Sequence, residues 1–202
     1  VDVERDGTEL ALFVLRGGGS RHDAAVLRAL SGTAVPVPVV HAHDTELRAL
    51  LLERVEGRSD FPAVDDDAHR EPTARHLMEL TAALHALDPA ALDIEHLGAA
   101  PAQPDHAHTQ LAAQLHPLFG ITLVWLRRHL PTGRSATSLV HSDMGPGNFL
   151  AAGGRVTAIL DWEVARWGDP MEDLAAVAVR DMATPMGDLP TRFSEYEAAG
   201  GH

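Results

Sequence analysis

Apolar and polar residues alternate through Val1–Arg5 like an edge strand, Asp6-Gly7 is a hairpin-turn signal, and Glu9–Arg16 reads as the returning strand. Arg21–Ser31 then predicts a helix with Ala24, Val26, Leu27 and Leu30 apolar. Val35-Pro36-Val37-Pro38 is extended, because each proline pushes its predecessor out of the α region. Val39–His41 and Arg48–Arg54 predict two more strands. A long helix follows over His69–Leu87, where Leu77, Leu80, Leu84 and Leu87 form a core stripe and Asp88-Pro89 ends the pattern. Residues 93–110, rich in Pro, His and Ala, read as a loop, and Leu118–Leu130 as a helix stopped by Pro131-Thr132-Gly133. Asn148–Ala152 and Arg155–Leu160 make a hairpin about Gly153-Gly154, followed by helices over Pro170–Met182 and around Leu189–Ala199. The order is a small antiparallel sheet with one helix, then a mainly helical part carrying one hairpin: an α+β chain.

Composition narrows the chemistry. The 202 residues include no Cys, so disulfides, thiolate metal sites and thiol nucleophiles are excluded. A net charge of −13 argues against nucleic acid and anionic membranes as main partners. No apolar run approaches a membrane span and no secretory signal opens the chain, so a cytoplasmic location is the expectation. All 16 basic residues are Arg. Among 13 His, His41-Ala42-His43 and His106-Ala107-His108 are H-x-H pairs, but H-E-x-x-H is missing and a transition-metal site is not expected. Gly17-Gly18-Gly19-Ser20 is a loop without the G-K-[ST] of a phosphate-binding Walker motif, and Asp65-Asp66-Asp67 is a solvated turn.

The strongest chemical signal is His141-Ser142-Asp143, then Asn148, then Asp161. This is H-x-D-x-x-x-x-N with a later Asp, the spacing of a kinase-type phosphotransfer loop. The hairpin gives the spacing physical sense. With the turn at 153–154, residue 148 is expected opposite 159 and Asp161 roughly 7 Å further along the strand. An amide oxygen and a carboxylate at one hairpin end suit Mg²⁺, which takes oxygen ligands. Asp143 is then free to orient or deprotonate a hydroxyl, while His141 supports the loop by hydrogen bonding more than by titrating. Gly145, Pro146 and Gly147 give the backbone its sharp path.

Leu139–Asp143, Pro146–Leu150, Ile159–Glu163, Gly168-Asp169-Pro170 and Glu172–Ala175 together resemble the aminoglycoside phosphotransferase and choline kinase-like superfamily. They are most similar to the branch fused as a kinase-like domain to some acyl-CoA dehydrogenases. The resemblance implies a protein-kinase-like, two-lobed fold with a small lobe over 1–56 and a helical lobe over 57–202. It implies that the chain lacks the family's first strand, glycine loop and last helices. It makes Asp143 the catalytic Asp, with His141 in its loop, and Asn148 and Asp161 the Mg²⁺ ligands. Asp173 braces the loop, and Glu163 either helps the metal or positions the loop. Ser142 stands where the family commonly has Gly. Glu53-Arg54-Val55-Glu56-Gly57 resembles the interlobe hinge, so backbone groups near Glu53 and Val55 are expected to meet adenine, with Leu52 and Leu150 on its faces. Arg16 takes the place of the phosphate-binding basic residue and Asp23 that of its acidic partner; Arg can still grip phosphate. The expected activity is ATP-dependent transfer of phosphate to a small-molecule hydroxyl. The competing expectation is a non-catalytic nucleotide-binding module.

Overall fold

The computed structural model describes residues 2–5, 8–16, 20–61, 67–92, 94, 97, 117–129 and 137–201. Strands β1 (Asp2–Arg5), β2 (Thr8–Arg16), β3 (Val40–Asp44) and β4 (Ala49–Glu53) form an antiparallel sheet in the order β1-β2-β4-β3. Helix α1 (Ser20–Leu30) buries Ala24, Leu27 and Leu30, one stripe of its surface, together with Val26. These side chains meet Leu50 and Leu52 of β4 in one core.

Further along the chain, α2 (Asp67–His85) buries Ala74, Leu77, Met78 and Thr81, an i, i+3, i+4, i+7 face. A 3-10 turn at Pro89–Ala91 ends this region, with the Asp88 carboxylate accepting from Ala90 N. Strand β5 (Ser138–Val140) pairs with β8 (Arg166–Gly168), and β6 (Phe149–Ala152) with β7 (Arg155–Ile159). Helices α4 (Met171–Asp181) and α5 (Leu189–Ala198) follow. Helix α5 packs on α2, where Arg192 reaches Glu71. The chain divides into two compact units, 1–98 with 137–202, and 99–136. The second contains α3 (Pro117–Arg128), which exposes Leu118, Ile121 and Trp125. No described helix is long and apolar enough to cross a membrane.

The α+β architecture agrees with the sequence pattern, and the described helices lie within two residues of their expected ends. Three local readings change. The third strand starts at Val40 and runs on to Asp44, carrying His41 and His43. The short β8 is new; Arg166-Trp167-Gly168 is too brief to show a period. The hairpin register also differs: Ala151 pairs with Val156 but Leu150 with Ala158, so Thr157 is an extra, bulged residue. The bulge places Asn148 opposite Leu160, whose N–H donates to its carbonyl at 2.8 Å, so Asp161 is one residue beyond it, not two. The expected features at Asp6-Gly7, Gly17–Gly19, Asp65-Asp66, His106–His108 and Pro131–Gly133 lie outside the described residues.

Candidate active site

The loop joining β5 to β6 is held from behind by one buried carboxylate. Asp173, in the first turn of α4, is fully buried. Its Oδ2 accepts from the His141 N–H at 3.0 Å and its Oδ1 from the Ser142 N–H at 2.6 Å. His85 Nε2 also lies 3.0 Å from Oδ2, and Tyr196 Oη lies 2.8 Å from His85 Nδ1. Both amides can converge on one carboxylate because Ser142 adopts φ 68°. That left-handed conformation is easiest for glycine, and Ser142 adopts it here.

His141 is buried against Trp162, with ring centroids 4.6 Å apart. Its Nε2 lies 2.7 Å from the Leu160 carbonyl, and the Asp143 N–H points at Nδ1 from 3.3 Å. The first contact needs Nε2–H and the second a bare Nδ1, which defines a neutral tautomer. Burial pulls its pKa below the usual histidine value, in the same direction. His141 thus ties the loop to the end of β7.

Asp143 projects from the other side of this loop. Arg180 Nε donates to its Oδ1 at 2.9 Å and Nη2 donates to Oδ2. The Asn148 amide nitrogen donates to Oδ2 at 2.8 Å and to the Asp143 carbonyl at 2.9 Å. The hydrogen bond from Arg180 holds the Asp143 carboxyl below the ordinary carboxylate range, with Asn148 adding to it. The amide nitrogen must face the carboxylate, so Asn148 Oδ1 is on the opposite side.

A cavity of about 490 Å³ opens beside Asn148. Phe13, Leu27, Leu52 and Leu150 line its apolar part, Glu53 and Val55 one rim, and Asp23, Asn148 and Asp161 its polar end. Gly57 is needed at this rim: at φ 143° a β-carbon there would lie 2.8 Å from Thr157 Oγ1. Asp161 occupies φ 62°, a backbone state that Asp and Asn tolerate better than most residues.

Asp23 is 6% exposed, and among the described residues its Oδ1 has no hydrogen-bond partner. Burial first, then the charges of Asp161 and Glu163, push its pKa up to about 6. An acid with a raised folded-state pKa supplies relative stability below about pH 4, lost as pH rises through about 6. Asp23→Asn is therefore expected to match the parent near pH 4 and to exceed it at pH 8, by on the order of 1–3 kcal/mol. Paired denaturant titrations at the two pH values check this. A difference that does not grow with pH would place a cation, Arg16 first, against the carboxylate.

Of the residues singled out in the sequence, Asp23, Leu52, Glu53, Val55, Leu150, Asn148 and Asp161 surround this one cavity. Asp143 is adjacent through Asn148, and His141 lies behind it in the core. Arg16 pairs with Ala49 in the sheet, and its side chain is outside the described set. Sequence reasoning missed Arg180, His85 and Tyr196. None sits in a short motif: Arg180 reaches the loop itself, His85 reaches the Asp173 carboxylate behind it, and Tyr196 reaches His85, each from a helix distant in sequence.

The APH model of the phosphotransferase enzyme family matches residues 19–201. Acyl-CoA dehydrogenase family member 11 from Rattus norvegicus is 31% identical over 164 residues, 73% of this chain and 21% of that protein. The chain thus spans about a fifth of the length of that relative. Hygromycin-B 4-O-kinase from Escherichia coli is 44% identical over 39 residues, 19% of this chain and 11% of that protein. Among solved structures, the macrolide 2'-phosphotransferase MphH from Brachybacterium faecium superposes with a TM-score of 0.68 at 21% identity, over 98% of this chain and 71% of that one. A thermostable mutant of aminoglycoside phosphotransferase APH(4)-Ia, in complex with ADP and hygromycin B, gives 0.70 at 19% identity, over 98% and 72%. These two carry the kinase-like fold, and the family match carries the kinship: the chain belongs to the APH phosphotransferase enzyme family.

Proposed function

We propose that the chain transfers the γ-phosphate of ATP to a hydroxyl of a small molecule. The observation that carries this is the single cavity joining the Glu53–Gly57 rim to Asn148 and Asp161, with Asp143 next to it. Its volume is that of a small-molecule site, and its apolar part suits a purine held between Leu52 and Leu150. Arg16, at the end of β2, is the residue assigned to the phosphates.

The donor set at the polar end fits Mg²⁺. Asn148 Oδ1 and the Asp161 carboxylate are hard oxygen ligands, and Mg²⁺ shared with phosphates needs only one or two of these. Among the described residues no group of three or more His, Asp or Glu is placed to hold a metal alone. When bound, the metal would supply charge neutralisation at the phosphates. This chain's residues do the rest. The rim and Arg16 position the nucleotide, and Asp143 accepts a hydrogen bond from the acceptor hydroxyl and aims its oxygen. Activity then comes chiefly from positioning and electrostatics.

ADP release from ATP, followed over a panel of aminoglycosides, macrolides, choline-like amino-alcohols, sugars and hydroxyacyl thioesters, tests the proposal. Turnover with one of these supports it. Nucleotide binding without turnover by any of them favours the non-catalytic module.

Mg²⁺ is expected to bind weakly alone and firmly with ATP. Asp161→Asn is the cleaner variant, because Asn tolerates the same backbone conformation, whereas Ala adds strain of about 1 kcal/mol. It should weaken Mg²⁺-dependent ATP binding at least 10-fold, and more than Asn148→Ala does, because it removes the one charged ligand. Titration calorimetry with and without nucleotide reads both. Tight nucleotide-independent binding, or normal Mg²⁺-ATP affinity in Asp161→Asn, would remove this pair from the metal site.

A further inference from the structure

Arg180 lies outside every motif and ends up against Asp143. It comes from the last turn of α4 and passes beneath the 145–147 turn, where its Nη1 donates to the Pro146 carbonyl at 2.8 Å. The turn is shaped for it. A β-carbon on Gly145 would lie 2.8 Å from Arg180 Cδ, and one on Gly147 3.3 Å from Nη1. The remaining donors form a fork on Asp143, Nε to Oδ1 and Nη2 to Oδ2. A carboxylate offers about four acceptor positions. Arg180 fills two and Asn148 Nδ2 a third, on Oδ2. One position is left, on Oδ1. The Asp143 side chain is 43% exposed, so an incoming hydroxyl can reach it.

We infer, on the reading of this site as a phosphotransfer site, that Arg180 is a positioning residue for the reaction: its fork fixes the plane of the Asp143 carboxylate so that a single lone pair on Oδ1 is presented to the acceptor hydroxyl. A planar fork restrains both rotation and tilt of a carboxylate, which a point charge does not. A carboxylate free to turn would spread the hydroxyl over several directions, and only those in line with the phosphate react. Arg180 touches neither nucleotide nor acceptor in this scheme. It acts through Asp143, and its effect belongs to the transfer step and not to ATP binding.

The experiment uses ATP and whichever acceptor gives the highest ADP release in the panel above, with Arg180→Met, Arg180→Lys and the Asp143→Asn background. Arg180→Met is expected to lower kcat about 10- to 100-fold while KM for ATP stays within about 2-fold. Arg180→Lys, which keeps the charge and most of the stem but not the fork, should recover only part of the loss. In the Asp143→Asn background, Arg180→Met should add less than about 3-fold, because the group it orients is already gone. Should the Met variant not fold, the Lys variant carries the test, since a merely structural staple predicts near-parental kcat there once thermal stability is matched. Parental turnover that survives in both variants, or full additivity with Asp143→Asn, overturns the inference and leaves the proposed function standing. A parent that turns over no acceptor overturns both.

Discussion

Asp143→Asn is expected to lower phosphotransfer by about 10²-fold or more, in the range of general-base effects. The substitution keeps the shape of the side chain and removes its charge. It also turns one acceptor oxygen into an NH₂ group, which meets donors on every side: Arg180 Nε, Arg180 Nη2 and Asn148 Nδ2. No orientation of the new amide satisfies all three, so the side chain will shift as well as lose charge. ATP affinity should change little, since Asp143 is not in the wall of the cavity. Steady-state rates with a binding measurement on the same preparations check both halves, and a variant with near-parental kcat would remove Asp143 from the mechanism.

The second large effect concerns stability. Asp173→Ala leaves the His141 and Ser142 N–H groups and His85 Nε2 without their shared acceptor in a buried site. Each unpaired buried donor costs about 1–3 kcal/mol, so a loss of roughly 3–5 kcal/mol is expected, or about 10 °C in Tm for a chain of this size. Asp173→Asn should cost less, because its remaining carbonyl oxygen can still accept from one or two of the donors. Urea denaturation of the two variants reads the order. A loss below about 1 kcal/mol for the Ala variant would mean that water or a neighbour replaces the carboxylate, and that the loop does not depend on it.

How much of this was legible in the sequence depends on how local the cause is. The 141–148 loop, the hairpin and the α2 stripe are set by residues close in sequence, and their patterns survive inspection without coordinates. The resemblance puts Leu52, Val55 and Leu150 around adenine, and in the structure all three line one cavity. The hairpin register was not legible, because one bulged Thr157 shifts the pairing and leaves the apolar pattern unchanged. Nor was Arg180. Nothing in Leu174–Val179 distinguishes its guanidinium from a solvated helix-end charge, and only the tertiary approach of α4 to the 145–147 turn gives it a partner 37 residues away. His85 and Tyr196 were hidden for the same reason, 88 and 111 residues from the atoms they meet.

The hairpin that ends in Asn148 is bound along both of its outer edges. On the β6 side, Arg58 and Ala151 exchange two backbone hydrogen bonds of 3.0 Å. The bulged Thr157 hydroxyl donates to the Glu56 carbonyl of that same segment at 2.7 Å, and on the β7 side the Ile159 N–H donates to the Pro36 carbonyl at 2.8 Å. An isolated two-stranded hairpin is marginal in water, but this one has connector chain on either flank. Asn148 and the residue one step past β7, Asp161, are therefore spaced by a hairpin whose backbone is fixed from both flanks, so the oxygens at the cavity's polar end are held in register by the chain itself.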